Sequence, residues 1–298
     1  MGKEGQGLTR RDFLKFGGAG AGLVVGGRFV VGPETVGQLF IRGIGYFFGG
    51  RHRGEKPLPN LKFSPENIIY YGKTAETIQQ VKDEYNIDIV SPVSFEENGE
   101  NKNNLPWREE DILIVTETIA QLPPFYLVNP EGPKKIILTR TPGSAGSEGA
   151  GGLNGEGRVI LYTAERFSPK RQMGGYLGKL YESQGDHLKA ITVHEWTHTF
   201  VEYFNKLDSE WVAKMGWVED IGKKEPQERW KNTDPESLIH EADADIFPWE
   251  DMAVSAGLML VNPKVLSGNR LHFFLENPYY TEWPVVKKYR DELIMDRI

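Results

Sequence analysis

The sequence predicts an α+β domain in which a small mixed sheet packs on one central helix and further helices follow towards the C-terminus. Two observations carry this reading. Short β-rich runs fall before residue 164 and helical patterns dominate after it. The composition, 39% hydrophobic and 26% charged over 298 residues, is that of a chain able to bury a substantial core. A net charge of -7, with no basic stripe beyond the N-terminus, argues against nucleic acid as a partner. The chain has no cysteine, so any metal site must be built from His, Asp and Glu.

Residues 1–31 read as an address preceding the domain. Thr9-Arg10-Arg11-Asp12-Phe13-Leu14-Lys15 resembles the twin-arginine export motif, and a weakly apolar, glycine-rich run from Phe16 to Gly27 follows it. Each glycine there costs up to ~1 kcal/mol against alanine in a helix, which disfavours a stable buried helix. The resemblance implies the twin-arginine export machinery as a partner, and the periplasm, cell surface or extracellular space as destination. A second apolar stretch, Val36 to Phe48, is interrupted by Arg42 and keeps membrane association through the N-terminus open. Residues 32–57 read as a linker, basic and rich in turn residues from Arg51 onward, in which His52 is solvated. The folded domain is expected over 58–298.

Within that domain Asn67 to Tyr71 is β-rich, Thr74 to Tyr85 is helical in pattern and Ile87 to Val90 is again β-branched. The acidic stretch Glu96 to Asn104 has no periodicity and reads as a loop. A helix fits Pro106 to Gln121: Pro106 suits a first turn, Glu109, Glu110 and Asp111 favour the positive helix end, and Ile112, Val115 and Ile119 form one apolar side. Lys135 to Thr139 and Arg158 to Thr163 are strands. Between them, Gly143 to Gly157 lacks the Gly-Lys-Ser/Thr of a phosphate cradle and reads as a mobile loop beside a cleft. The strand Arg158 to Thr163 is either internal or lies along that cleft, where it would pair with an extended ligand. Val285, Val286, Tyr289 and Leu293 form the apolar side of a C-terminal helix.

The chemistry is concentrated in His194-Glu195-Trp196-Thr197-His198, set in the run His187 to Asn205, of which Ala190 to Phe204 is placed on a helical wheel. Histidines four residues apart share one helix face, about one ~5.4 Å turn apart, and can grip one ion. Val193 and Phe200 gather on a core arc with Phe204, while His194, His198 and Glu195 occupy the neighbouring arc. Glu195 points beside the ion, where a base taking a proton from water is needed. His187, ~10.5 Å away along the axis, cannot join the same ion and reads as structural. Zinc with two histidines needs a third protein ligand. The best candidate is Glu250, in the first turn of a helix spanning Phe247 to Pro263. Its small face, Ala253, Ala256, Gly257 and Leu260, permits close approach to a neighbour. Asp243 and Asp245 are the competing ligands.

This pattern resembles a group of gluzincin metallopeptidases similar to the catalytic domain of anthrax lethal factor. His-Glu-x-x-His is followed by Pro248-Trp249-Glu250-Asp251-Met252-Ala253 and by Asn262-Pro263, in register with that group's Pro-x-Glu-Asp-Phe-Ala and Asn-Pro. Trp211, Gly216-Trp217 and Pro284 to Leu293 also match, so the resemblance covers roughly Leu105 to Leu293. It implies a zincin-like fold, one catalytic zinc ion held by His194, His198 and Glu250, Glu195 as base, and a peptide or protein substrate. Two positions depart: Val254 replaces a common Glu, and Asp243 stands where a tyrosine often stabilises the oxyanion. An acidic side chain there opposes negative charge. His240, His272, Tyr279 and Tyr280 are substitute donors, and Asp251 either orients a ligand histidine or favours the helix start. The departure at Asp243 also supports a rival reading, a catalytically inactive metal-binding or interaction protein at the cell envelope.

Overall fold

In the computed structural model, two parallel strands lie at the centre of a four-stranded sheet that supports the histidine-bearing helix. The structure describes residues 61–298 except 98, 129–131, 143–149, 156–157, 202–204, 224–225, 235–237, 240–243, 246 and 296–298. The address and linker segments therefore lie outside the described residues. Among those described, no helix is long and apolar enough to cross a membrane.

The main sheet has the order β2-β5-β7-β6. Strands β2 (Asp88–Val90), β5 (Lys135–Thr141) and β7 (Arg158–Ala164) run parallel, and β6 (Ala150–Gly155) pairs antiparallel with β7. Ile136, Ile137, Leu138, Val159, Ile160 and Leu161 are buried, as expected of central strands covered on both faces. β1 (Leu61–Phe63), β3 (Ser94–Glu97) and β4 (Glu100–Asn103) form a small antiparallel sheet, where Arg158 lies over the Phe63 ring. β8 (Trp217–Glu219) and β9 (Trp230–Asn232) make a third, two-stranded sheet.

The helices are α1 (Gly72–Tyr85), α2 (Glu109–Ala120), α3 (Pro124–Val128), α4 (Leu177–Leu180), α5 (Gln184–Val201), α6 (Asn205–Lys214), α7 (Pro226–Arg229), α8 (Pro248–Val261), α9 (Gly268–Glu276) and α10 (Pro284–Met295). The α+β class expected from the sequence is the class found, with a mixed sheet on the central helix and helices following it.

Several local expectations are corrected. Helix α2 starts at Glu109, later than Pro106, because the preceding segment is pinned in extended form. Leu105 N–H donates to the Arg140 carbonyl at 2.8 Å, and Trp107 N–H donates to the Tyr70 hydroxyl at 3.1 Å. The Glu96 to Asn104 stretch is a hairpin, turning through Gly99 at φ 88°, with Phe95 as its buried anchor. Its polar strands carry no alternating apolar signal. In strand pairing, Asn67 to Tyr71 contributes an isolated bridge from Asn67 to Pro92, and Ile69 and Tyr71 stand exposed. The glycine tract contains strand β6, so β7 is internal and β6 is the outer strand. Helix α5 begins at Gln184, earlier than expected, where Ser183 Oγ accepts from Asp186 N–H at 3.1 Å and donates to the Asp186 carboxylate at 2.8 Å.

Candidate metal centre

Helix α5 is held by its apolar arc. Leu188, Ala190, Val193 and Phe200 are buried, and Trp196 on the other flank is buried as well. Thr197 continues that core face through hydroxyl groups. Its Oγ1 donates to the Val193 carbonyl at 2.8 Å and accepts from Tyr126 at 3.0 Å, and Tyr126 accepts in turn from Tyr280 at 3.0 Å. Burial pushes the Tyr126 and Tyr280 hydroxyls well above the usual tyrosine range. Packing thus uses one side of the helix and leaves His194 and His198 half-buried on the next arc.

Helix α8 brings the third candidate ligand. Phe247 is its extended N-cap, Pro248 supplies the first helical residue, and Asp251 to Met259 are all buried. Gly257 is the point of contact: a β-carbon there would lie 2.7 Å from the Ala190 carbonyl oxygen and 3.1 Å from the Ala190 Cα. Only a residue without a side chain lets α8 run this close to the α5 backbone. The small face read from the sequence therefore performs the close approach expected of it.

One turn of α5 and the first turn of α8 then converge. His194 Nε2 and His198 Nε2 are 2.9 Å apart, and each lies 3.2 Å from Glu250 Oε2. The imidazole rings are nearly perpendicular, at 81°. Three ligand atoms around a tetrahedral zinc with bonds of ~2.0–2.2 Å stand about 3.4 Å apart. The observed triangle is slightly tighter, and the donor set and spacing fit a zinc ion. Among the described residues this is the group of His, Asp and Glu able to hold a metal. Burial pushes the Glu250 carboxyl up, but the charge and hydrogen bonds of His198 and His194 together hold it well below the usual carboxylate range.

Glu195 sits beside this triangle and is buried, at 6% exposure. Burial raises its pKa, the two imidazoles lower it, and the neighbouring Glu250 charge raises it again, leaving a net upward shift. Its carboxylate lies against strand β6. A β-carbon on Gly152 would fall 2.4 Å from Glu195 Cγ and 2.6 Å from Oε1. The sequence reading missed this residue. The available signal was the Gly151-Gly152 pair in the glycine tract that precedes a good strand, since glycine in a strand marks a place where another group passes close to backbone.

The structure sorts the remaining candidates. Asp251 does not orient a histidine: its carboxylate receives Arg270 Nε at 2.9 Å, Trp217 Nε1 at 3.0 Å and Trp211 Nε1 at 3.2 Å. Position 251 lies ~100° around α8 from Glu250, to the side of the face that meets α5. Tyr279 rests its ring on Phe125 and Phe200, on the core arc of α5. Tyr280 is fully buried in the hydroxyl chain and belongs to the core. His272 is exposed on α9 and Asp245 is exposed on a turn, outside the metal group. His187 is buried against Tyr181, in keeping with a structural role. His240 and Asp243 lie outside the described residues.

No family model and no curated protein matches the chain. The structure is similar to the crystal structure of a candidate zinc-binding metallo-peptidase from Bacteroides caccae. That likeness has a TM-score of 0.36 and 16% sequence identity, and covers 76% of this chain and 88% of the other. It is a distant one, and the site stands on its own geometry.

Proposed function

We propose that this protein is an exported zinc-dependent metallopeptidase that hydrolyses peptide bonds with Glu195 as general base. The single observation that carries the reading is the triangle of His194, His198 and Glu250 with Glu195 buried alongside it. His194, His198 and Glu250 would hold a zinc ion, which would supply Lewis acidity to make water more acidic and to polarise a carbonyl. The chain does the rest. Glu195, buried beside the three ligands, accepts a proton from water and delivers it to the leaving amine. Strand β6, outermost in its sheet among the described residues, offers backbone groups beside Glu195 to an extended peptide.

The test is cleavage of a mixed peptide library with and without chelator, read by mass spectrometry. Glu195→Gln should retain zinc and lose hydrolysis, and full activity in that variant would refute the assignment. Glu250→Ala should weaken zinc at least ~10-fold. Unchanged metal affinity would transfer the third-ligand role to Asp243 or Asp245. The aspartate at position 243 favours a second reading, metal binding without turnover at the cell envelope. Chelator-insensitive absence of cleavage in a zinc-loaded protein would select it. Export rests on the Thr9 to Lys15 motif, and Arg10→Lys with Arg11→Lys should hold a reporter fusion in the cytoplasm.

A further inference from the structure

We propose that Asp251 is a positioning residue, which fixes the first turn of α8 so that Glu250 meets the two histidines. The inference rests on the metal site proposed above and assigns a role to residues that touch no ligand atom. Asp251 is completely buried, as are Arg270 and Trp211, and Trp217 is nearly so. Arg270 Nε donates to Oδ1 at 2.9 Å and Nη2 to Oδ2 at 3.0 Å, so the guanidinium grips the carboxylate as a fork. Oδ2 also takes both indole N–H groups. The donors come from three separate elements: Trp211 from α6, Trp217 from β8 and Arg270 from α9.

The placement gives the cluster its purpose. Asp251 adjoins Glu250 in the opening turn, where Asp251 N–H donates to the Phe247 carbonyl at 3.0 Å. That turn has no side-chain cap of its own. Gly257 sets the depth at which α8 crosses α5, yet a smooth contact of small residues does not fix rotation about the helix axis or sliding along it. A carboxylate held by three elements on the flank of α8 fixes both. The tryptophans are in turn packed: Trp211 stands edge-on to Phe273 at 4.9 Å, on the same helix as Arg270. The segment directly after the metal helix, which supplies no ligand, thus acts on the metal through Asp251.

The test measures zinc affinity by chelator competition, and the visible spectrum of the cobalt-substituted protein, for wild type, Asp251→Asn, Arg270→Met, Arg270→Lys and Trp217→Phe. Asp251→Asn and Arg270→Met should weaken zinc at least ~10-fold and shift the cobalt bands, with Arg270→Lys recovering part of the loss. Asp111→Asn serves as control, since it removes another buried carboxylate, gripped by Arg108 on α2, and should leave zinc affinity unchanged. If the charge variants fail to fold, Trp217→Phe removes one donor and carries the same test with a smaller loss. Folded variants with wild-type zinc affinity and an unaltered cobalt spectrum would overturn the proposal. A wild-type protein that takes up no zinc would instead refute the metal site itself.

Discussion

Replacing Gly257 by alanine should damage the metal site through backbone displacement alone. The added β-carbon would start 2.7 Å from the Ala190 carbonyl oxygen and 3.1 Å from its carbonyl carbon and Cα, all of them main-chain atoms that cannot rotate away. Restoring an ordinary contact of about 3.5 Å requires the helices to separate by roughly 0.8 Å. Helix α8 is continuous from Pro248 to Val261, so this shift reaches Glu250 about two turns away. Metal–ligand distances tolerate only about ±0.2 Å. Zinc affinity should therefore fall at least ~10-fold, about 1.4 kcal/mol. Stability of the metal-free protein should change less: overpacking costs about 1–3 kcal/mol, and alanine returns up to about 1 kcal/mol of helix propensity. The assay is chelator competition for zinc beside denaturant unfolding in chelator. Gly268→Ala, where an added carbon meets nothing within 4 Å, is the neutral control. A Gly257→Ala protein that gains stability and keeps wild-type zinc affinity would show that α5 and α8 are not held by this contact.

Two further outcomes are expected. Gly152→Ala should leave zinc affinity and melting temperature near wild type while lowering peptide hydrolysis ~10²-fold or more, because the new carbon displaces the Glu195 side chain. Hydrolysis at the wild-type rate would remove Glu195 from that position in the working enzyme. In the metal-free protein the depressed Glu250 carboxyl contributes stability that is present above its unfolded value and is lost as pH falls through its lower folded value. The stability difference between wild type and Glu250→Gln should thus shrink as pH drops below about 4, followed by thermal unfolding in chelator. A difference constant down to acid-unfolding pH would refute the ion pairing.

What could be read in advance followed from periodicity. Helices α1, α5, α8 and α10 announce themselves because their apolar positions recur at helical spacing, and α8 adds a proline start and an Asn-Pro stop. The triangle was legible for the same reason: four-residue spacing aligns His194 with His198, and the small residues of α8 say that something must come close. Strand β6 was illegible because glycine carries no strand preference, and its pairing with β7 is what orders it. The hairpin β3–β4 failed likewise, being polar on both strands. Asp251 could be seen as notable without its destination being visible. Which way it faces depends on Arg270 and two tryptophans that meet it only in the folded chain.

The hydroxyl chain from Tyr280 through Tyr126 to Thr197 has a consequence for the geometry of the histidines. Thr197 immediately precedes His198 on α5; its partner Tyr126 belongs to α3, 71 residues earlier in the chain, and Tyr126 is bonded in turn to Tyr280 in the stretch before α10. An apolar helix face tolerates a small roll about its own axis, since grease has no preferred angle. Three oriented hydroxyls do not: each donates once, in sequence, and the last is spent on the Val193 carbonyl of the helix itself. The core thereby acts as a key in a shaft, setting the angle at which both imidazoles leave α5 before any ion arrives.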